Sequence, residues 1–366
     1  MKKLLYIRQG GKHVITGGVK VNNLILEVLM KVKDVEVTIL EDNYFWPNSS
    51  DIKIPIFVKS LMFNLKYAQR LDNILKYDFI FVDSRLFPRM FMFLRKVKKR
   101  NENIKIIAAH HHFCHLQQQN SLKKIIYKIV EMDFMRSVDK ILVFSKYTYN
   151  TAINVGIEKE KLTFQELGFD RDENEEITNS KAKKDLLFIG TVESRKGLEY
   201  LVKAINSIHN KHRDIKVHIV GQYNLKSKYY IKLRKLINKY SLNENFIFHG
   251  RLSDEDVLSL KNQSAFFVFP SLYEGFGMVM AESMFLGLPV VSFNNSAMPY
   301  LVQDGYNGLI AKNKDSIDFG NKIEILINNH ELRNKLSNGA IKTASSLNST
   351  ADFLFGIKNI LDEYIN

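Results

Sequence analysis

The stretch LGFDRDENEEITNSKAKKD, Leu167 to Asp185, interrupts an otherwise regular chain. Apolar residues thin out there and charged ones take over, the composition of a linker. On its N-terminal side stand five short apolar runs, KLLYIR, VEVTIL, DFIFVD, IKIIAAH and KILVFS, separated by amphipathic segments. Runs rich in Ile, Val and Phe and apolar on both faces belong to strands covered from both sides. Their alternation with helical periodicity is the βαβ rhythm of an open parallel sheet. Beyond the linker the rhythm restarts with LLFIGT, KVHIVG, NFIFHG, AFFVFP, LPVVSF and NGLIAK. The sequence therefore predicts an α/β chain of two Rossmann-like doubly wound domains, residues 1–170 and 171–345, facing a central cleft. Ligands of such sheets bind beyond the carboxyl ends of the strands. The tail STADFLFGIKNILDEYIN reads as one amphipathic helix, and residues 346–366 are expected to pack back on the N-terminal domain.

Composition narrows the classes. No apolar run approaches the ~20 residues that span a bilayer. The start, MKKLLYIRQGGKH, carries an apolar segment too short for a signal peptide, ended by Arg8, and reads better as a buried strand. A single cysteine, Cys114, excludes an internal disulfide and fits a reducing cytoplasm. The net charge is +14, and residues 1–168 hold 28 Lys+Arg against 16 Asp+Glu, so the excess sits in the first half. That half should face something anionic: a membrane surface, a phosphorylated acceptor or nucleic acid. It contains no recognisable RNA- or DNA-binding module, so nucleic acid is not the expected partner. VKSLMFNLKYAQRLDNILKY (58–77) and FPRMFMFLRKVKKRN (87–101) read as basic amphipathic helices of the kind that lie on membranes. Ordinary core-facing helices with solvated basic faces are the alternative, weaker for the second segment because RKVKKR is so dense.

Four stretches carry chemistry. In PSLYEGFGMVMAESMFLGLPVV, Pro270 to Val291, a strand ends in a glycine-rich turn and a helix follows, closed by Gly287 and Pro289. A helix start favours anions, Gly275 and Gly277 let a phosphate approach, and Glu274 and Glu282 could grip hydroxyls of a sugar or ribose. The alternative is a capped helix with one exposed acid. In LLFIGTVESRKGLEYLVKAI a strand ends at Gly190, and Arg195 and Lys196 precede a helix. Two adjacent cations can neutralise a diphosphate leaving group; an exposed basic turn is the alternative. In IKIIAAHHHFCHL four histidines follow a strand. A zinc site from His110, His112, Cys114 and His115 matches no common structural spacing, so no metal is expected; a polar loop without substrate contact stays open. In QGGKHVITGGVKVNNLILEVL, Gly17 and Gly18 precede an amphipathic helix, either as a close-approach loop or as an ordinary one.

E-G-F-G, with Glu274 and Glu282 separated by seven residues, resembles the E-x7-E signature of the retaining glycosyltransferases of family 4, which have the GT-B fold. The likeness is strong over about residues 186–315, including NFIFHGRLSDEDVLSLKNQSAFFVF and VQDGYNGLIAKNKD, and looser over 1–185. It implies a retaining, metal-independent hexosyltransferase with a UDP- or GDP-sugar as co-substrate and no cofactor. Its acceptor would be a glycan or a lipid-linked sugar in cell-surface polysaccharide or glycolipid synthesis. The location implied is the cytoplasm, peripheral at the inner membrane face. By position, Glu274 would hold donor-sugar hydroxyls and Glu282 the ribose, while the amides of Phe276 and Gly277 would meet the phosphates. The second stretch resembles G-R-x-x-x-x-K-G, with Thr191 where Arg is common, Arg195 supplying the guanidinium and Lys196 in register. The resemblance places His110 or His111 near the donor sugar, Gly17 and Gly18 in the glycine-rich loop, Gly221 at the end of its strand and Arg251 at the base. SAMPYLV resembles a G-G-x-P-E segment in which Tyr300 replaces the usual Glu. No side chain stands out as a covalent nucleophile, so same-face attack assisted by the leaving phosphate is implied. A catalytically silent partner subunit is the first alternative, favoured by Thr191 and Tyr300 and opposed by intact Glu274, Lys196 and Glu282. A nucleotide-sugar epimerase of the same fold is the second.

Overall fold

In KKLLYIRQ, Leu4, Leu5, Tyr6 and Ile7 are all buried, so both faces of this first strand are covered. Such a strand needs neighbours on either side and helices above and below. The structure, a computed structural model, describes residues 1–9, 17–42, 71–118, 120–170 and 184–365. Among them are twelve strands in two parallel sheets. The chain divides into two units, Met1–Gly168 with Asn348–Asn366, and Phe169–Leu347.

The first sheet contains β1 (Lys2–Gln9), β2 (Val35–Asp42), β3 (Phe79–Asp83), β4 (Lys105–His110), β5 (Lys140–Val143) and β6 (Leu162–Phe164), in the order β2-β1-β3-β4-β5-β6. The second contains β7 (Leu186–Ile189), β8 (Val217–Val220), β9 (Phe246–Gly250), β10 (Phe266–Phe269), β11 (Val290–Phe293) and β12 (Gly308–Ala311), in the order β12-β11-β10-β7-β8-β9. In the first, strand order reverses between β1 and β3; in the second, between β7 and β10. Loops leaving two strands at such a point diverge to opposite faces and open a crevice at the carboxyl ends.

The helix Thr350–Ile365 belongs to the first unit. Phe353, Ile357, Leu361 and Ile365, four residues apart, form its buried stripe. It packs on the helix Gly17–Leu29, and Phe353 meets Phe144 edge-on at 6.1 Å.

Two expectations change. The segment 87–101 is not one helix but two, Phe87–Met90 and Phe93–Arg100, broken at Met92, whose φ is 61°. The cause is distant in sequence: the Met92 amide donates to the carboxylate of Asp133 at 3.1 Å, which takes it out of helical pairing. Of the segment 58–77, residues 58–70 lie outside the described residues, and Leu71–Ile74 is helical.

Candidate functional site

At the reversal of the second sheet, the loops after β7 and β10 are stitched together. The Leu272 amide donates to the Arg195 carbonyl at 2.8 Å. Gly197 has φ 65°, and a Cβ there would lie 2.1 Å from the carbonyl oxygen of Pro270, so only glycine fits. This close approach delivers Arg195 and Lys196 to Glu274. Its Oε1 accepts from Lys196 Nζ at 2.7 Å, Arg195 Nη1 at 2.8 Å and Ser271 Oγ at 2.7 Å. Among the described residues none donates to its Oε2. Arg195 also donates to the Tyr273 carbonyl and to Glu193, each at 2.9 Å. Lys196 is buried, with its ammonium 4.8 Å from the centre of the Phe269 ring. Burial alone would raise the Glu274 carboxyl, but Arg195 and Lys196 outweigh it and bring it down to about 2. Burial and the neighbouring Arg195 charge push the Lys196 ammonium below its ordinary range, against the pull of Glu274. Two cations thus share one ionised carboxylate, an arrangement that can meet an anion and a hydroxyl side by side.

At the reversal of the first sheet the buried groups differ. Asp83 closes β3 and accepts from Arg85, from the amide at 3.0 Å and from Nε at 2.9 Å. Burial opposes its ionisation, and Arg85 prevails, holding Asp83 below the usual carboxylate range. His110 closes β4, fully buried, with Nδ1 3.0 Å from Ser84 Oγ; its Nε2 is enclosed with no partner among the described residues. His111 stacks on Phe144 at 5.1 Å, with Nε2 2.9 Å from Asn22 Oδ1. Burial drives His110 well below the ordinary imidazole value. Burial and the Arg85 charge bring His111 to about 3, although Asp83 pulls the other way. Both imidazoles are therefore neutral at neutral pH.

Residues 170–343 match the family Glycosyl transferases group 1. The chain is 31% identical to an uncharacterized glycosyltransferase of Methanocaldococcus jannaschii over 226 residues, 62% of this chain and 60% of that protein, and so spans less than two thirds of that relative's length. In solved structures it resembles sucrose-phosphate synthase from Thermosynechococcus elongatus, with a TM-score of 0.76 and 15% identity, covering 100% of this chain and 99% of that one. It also resembles HepE from Anabaena in complex with UDP-glucose, with a TM-score of 0.73 and 16% identity, covering 99% and 100%. These two show the fold, the GT-B pair of parallel-sheet Rossmann-like domains. The family match supports glycosyltransferase function.

Within the group 1 region the other expected residues scatter more. Gly190 and Gly221 lie at the carboxyl ends of β7 and β8, and the Gly221 amide donates to the carbonyl of Gly250, which was not among the expected residues, at 2.7 Å. A Cβ on Gly221 would sit 2.2 Å from the Gly190 oxygen. Gly275 is buried, Phe276 stacks on Phe169 at 5.4 Å, and Gly277, with φ 91°, starts the helix Met278–Met284. Glu282 is half-buried on that helix and is not among the hydrogen-bond partners of Glu274. Thr191, Arg251 and Tyr300 are exposed. In the first unit, Gly17 and Gly18 lie within the helix Gly17–Leu29 and not in a loop before it, and residues 10–16 lie outside the described residues. His115 is paired with Glu131 at 2.6 Å. Among the described residues no group of three or more His, Cys, Asp or Glu is placed to hold a metal ion.

Sequence reasoning missed Ser271, Ser296 and Asn295. Ser296 Oγ accepts the Glu274 amide at 3.0 Å and donates to Asn295 Oδ1 at 2.8 Å, fixing the turn from 22 residues away. No spacing rule signals that contact. Asp83, Arg85, Ser84 and Asn22 were missed too. Here a signal existed: an acid ending an apolar strand beside the sheet's reversal.

Proposed function

We propose that the chain is a retaining, metal-independent glycosyltransferase that takes a sugar from a nucleotide-sugar donor bound at the reversal of its second sheet. The observation that carries this reading is Glu274 held by both Arg195 and Lys196 at the ends of β7 and β10. Glu274 Oε2 would accept a hydroxyl of the donor sugar, while the two cations meet the diphosphate. Glu282 would serve the ribose, and the backbone of Gly275, Phe276 and Gly277 the phosphates. In the transfer, the bond from the anomeric carbon to the phosphate oxygen breaks, and a bond from the acceptor hydroxyl oxygen forms on the same face. The hydroxyl proton passes to the departing phosphate, and nucleoside diphosphate leaves. Arg195 and Lys196 stabilise the charge that grows on that phosphate, work a metal ion does elsewhere. The neutral imidazoles of His110 and His111 suit uncharged sugar hydroxyls. The complex of HepE with UDP-glucose favours a UDP-sugar within the UDP- or GDP-sugar class. The acceptor is proposed to be a glycan or a lipid-linked sugar.

A thermal-shift panel of nucleoside diphosphates and nucleotide sugars tests this. A ligand at about a hundred times its Kd should stabilise the fold by about 2.7 kcal/mol. Glu274→Ala should lower transfer of the sugar so identified by about 10²–10³-fold while the protein still melts cooperatively. Absence of any shift across the panel would sink the proposal.

A further inference from the structure

The helix Ser121–Arg136 has two apolar faces. One is inward: Val130, Phe134 and Met135 are buried, and Tyr127 meets Phe87 edge-on at 6.0 Å. The other stands in solvent. Leu122, Ile125 and Ile129 are 66%, 57% and 58% exposed. At about 100° per residue they fall within an arc of about 60°, roughly opposite Tyr127 and Phe134. Single exposed leucines need no explanation, but an ordered stripe on the wrong side of a helix does.

The stripe is prolonged. One turn beyond Ile129 comes Asp133, which is turned inward and holds the Met92 amide at 3.1 Å and the Arg95 guanidinium. Met92 is thereby kept in the left-handed region, where a non-glycine residue is uncommon, with 47% of its surface in water. The fold thus bears a backbone cost to present a fourth apolar side chain at the end of the stripe.

Among the exposed side chains of the two segments that flank this ridge the charge has one sign. Neither residues 87–101 nor residues 120–130 contain an acidic side chain. Lys124 and Lys128 are exposed along the helix, and Arg95 and Lys96 are exposed beside Met92. A ridge of four apolar side chains is too small for a stable protein interface, which buries upwards of ~1,000 Å². An apolar ridge in a cationic field matches the interface of an anionic bilayer. We propose that this ridge is a membrane-docking surface: Leu122, Ile125, Ile129 and Met92 enter the headgroup boundary while the flanking cations meet anionic phospholipids. Docking is independent of the sugar chemistry. Of the two segments that the sequence offered for a membrane-facing role, 58–77 and 87–101, it uses the second, at its junction with a helix whose outer face the sequence did not flag.

The test is co-sedimentation of the full chain with vesicles of phosphatidylcholine alone or mixed with phosphatidylglycerol. Binding is expected to the mixed vesicles only, and to fall as salt rises. K124E/K128E and L122S/I125S/I129S should each weaken it about tenfold or more, with melting temperature and nucleotide binding unchanged. Ile125→Trp should give blue-shifted emission with the mixed vesicles, above the background of Trp46. No binding by the unaltered chain, wild-type binding by both multiple variants, or an unshifted Trp spectrum would each overturn the proposal. So would a serine variant that changes oligomeric mass or stability while vesicle binding persists, because the stripe would then pack on protein.

Discussion

Both sheets bury a polar cluster where their strand order reverses, yet the two clusters treat charge in opposite ways. In the second unit ionisation is enforced: Glu274 is brought down to about 2 by two cations that burial alone would disfavour. In the first, Asp83 and Arg85 neutralise each other and the two histidines beside them are kept uncharged. The topology that creates a crevice is the same; the side chains decide what it can hold. A carboxylate shared by two cations suits an anion next to a hydroxyl, whereas neutral imidazoles among amide and hydroxyl groups suit an uncharged polar ligand.

The largest effect is expected at Glu274. Glu274→Ala leaves Lys196 buried without its counter-charge, while half-buried Arg195 keeps Glu193. Removing one partner of a buried pair costs about 3–5 kcal/mol, and losing a group that holds the reacting sugar lowers turnover by about 10²–10³-fold. Sugar transfer and denaturant midpoints read both. Transfer within threefold of wild type would make the ion cluster merely structural. Next comes the junction that assembles the cluster. Gly197→Ala forces a Cβ against the Pro270 carbonyl at an αL position and should cost about 1–3 kcal/mol, lowering donor affinity along with stability.

A pH series sharpens the contrast. The folded value of His111, about 3, lies below its ordinary value of 6.5, so the unfolded chain binds more protons between them and stability falls as pH drops through that window. By pH 5 this amounts to about 2 kcal/mol at most, from 1.36 kcal/mol per unit. For Glu274, stability is full above 4.5 and is lost only as pH falls towards 2. Urea midpoints at pH 7.5 and 5.0 should therefore differ, and His111→Asn should reduce the difference, with buried His110 supplying a remainder of the same sign; an unchanged difference would show that the His111 imidazole is not held neutral. The smallest effect belongs to Gly18→Ala. A Cβ there would find ordinary contacts at 3.5 Å with Arg85 and His111, and alanine favours a helix by up to about 1 kcal/mol. A neutral or slightly raised melting temperature is expected, in contrast to Gly197.

The strands were legible because most are apolar on both faces, a pattern that few other structures produce. The missed strand, β6, is three residues long with Phe164 partly in water, so its pairing with β5 comes from the sheet edge and not from its own sequence. The break at Met92 was illegible because its cause, Asp133, lies 41 residues away. Glu274, Arg195 and Lys196 were legible because each sits in a turn at the end of an apolar run. Their companions were not: Ser296 reaches Glu274 only once β10 and β11 lie side by side. Adjacent in the chain, His110 and His111 could not be told apart by residue pattern; in the structure each has its own partner, Ser84 and Asn22.

The chain leaves the first unit at Gly168 and rejoins it at Asn348. These crossings are neighbours: a Cβ on Gly168 would come within 2.3 Å of the Ser349 carbonyl oxygen. Residues 169–347 are therefore spliced into a single loop of the host as a cassette with adjoining ends. Grafting in a related cassette would require two joints only, both at one place, and would exchange the ion cluster while leaving the imidazole cluster and the lipid-facing ridge untouched.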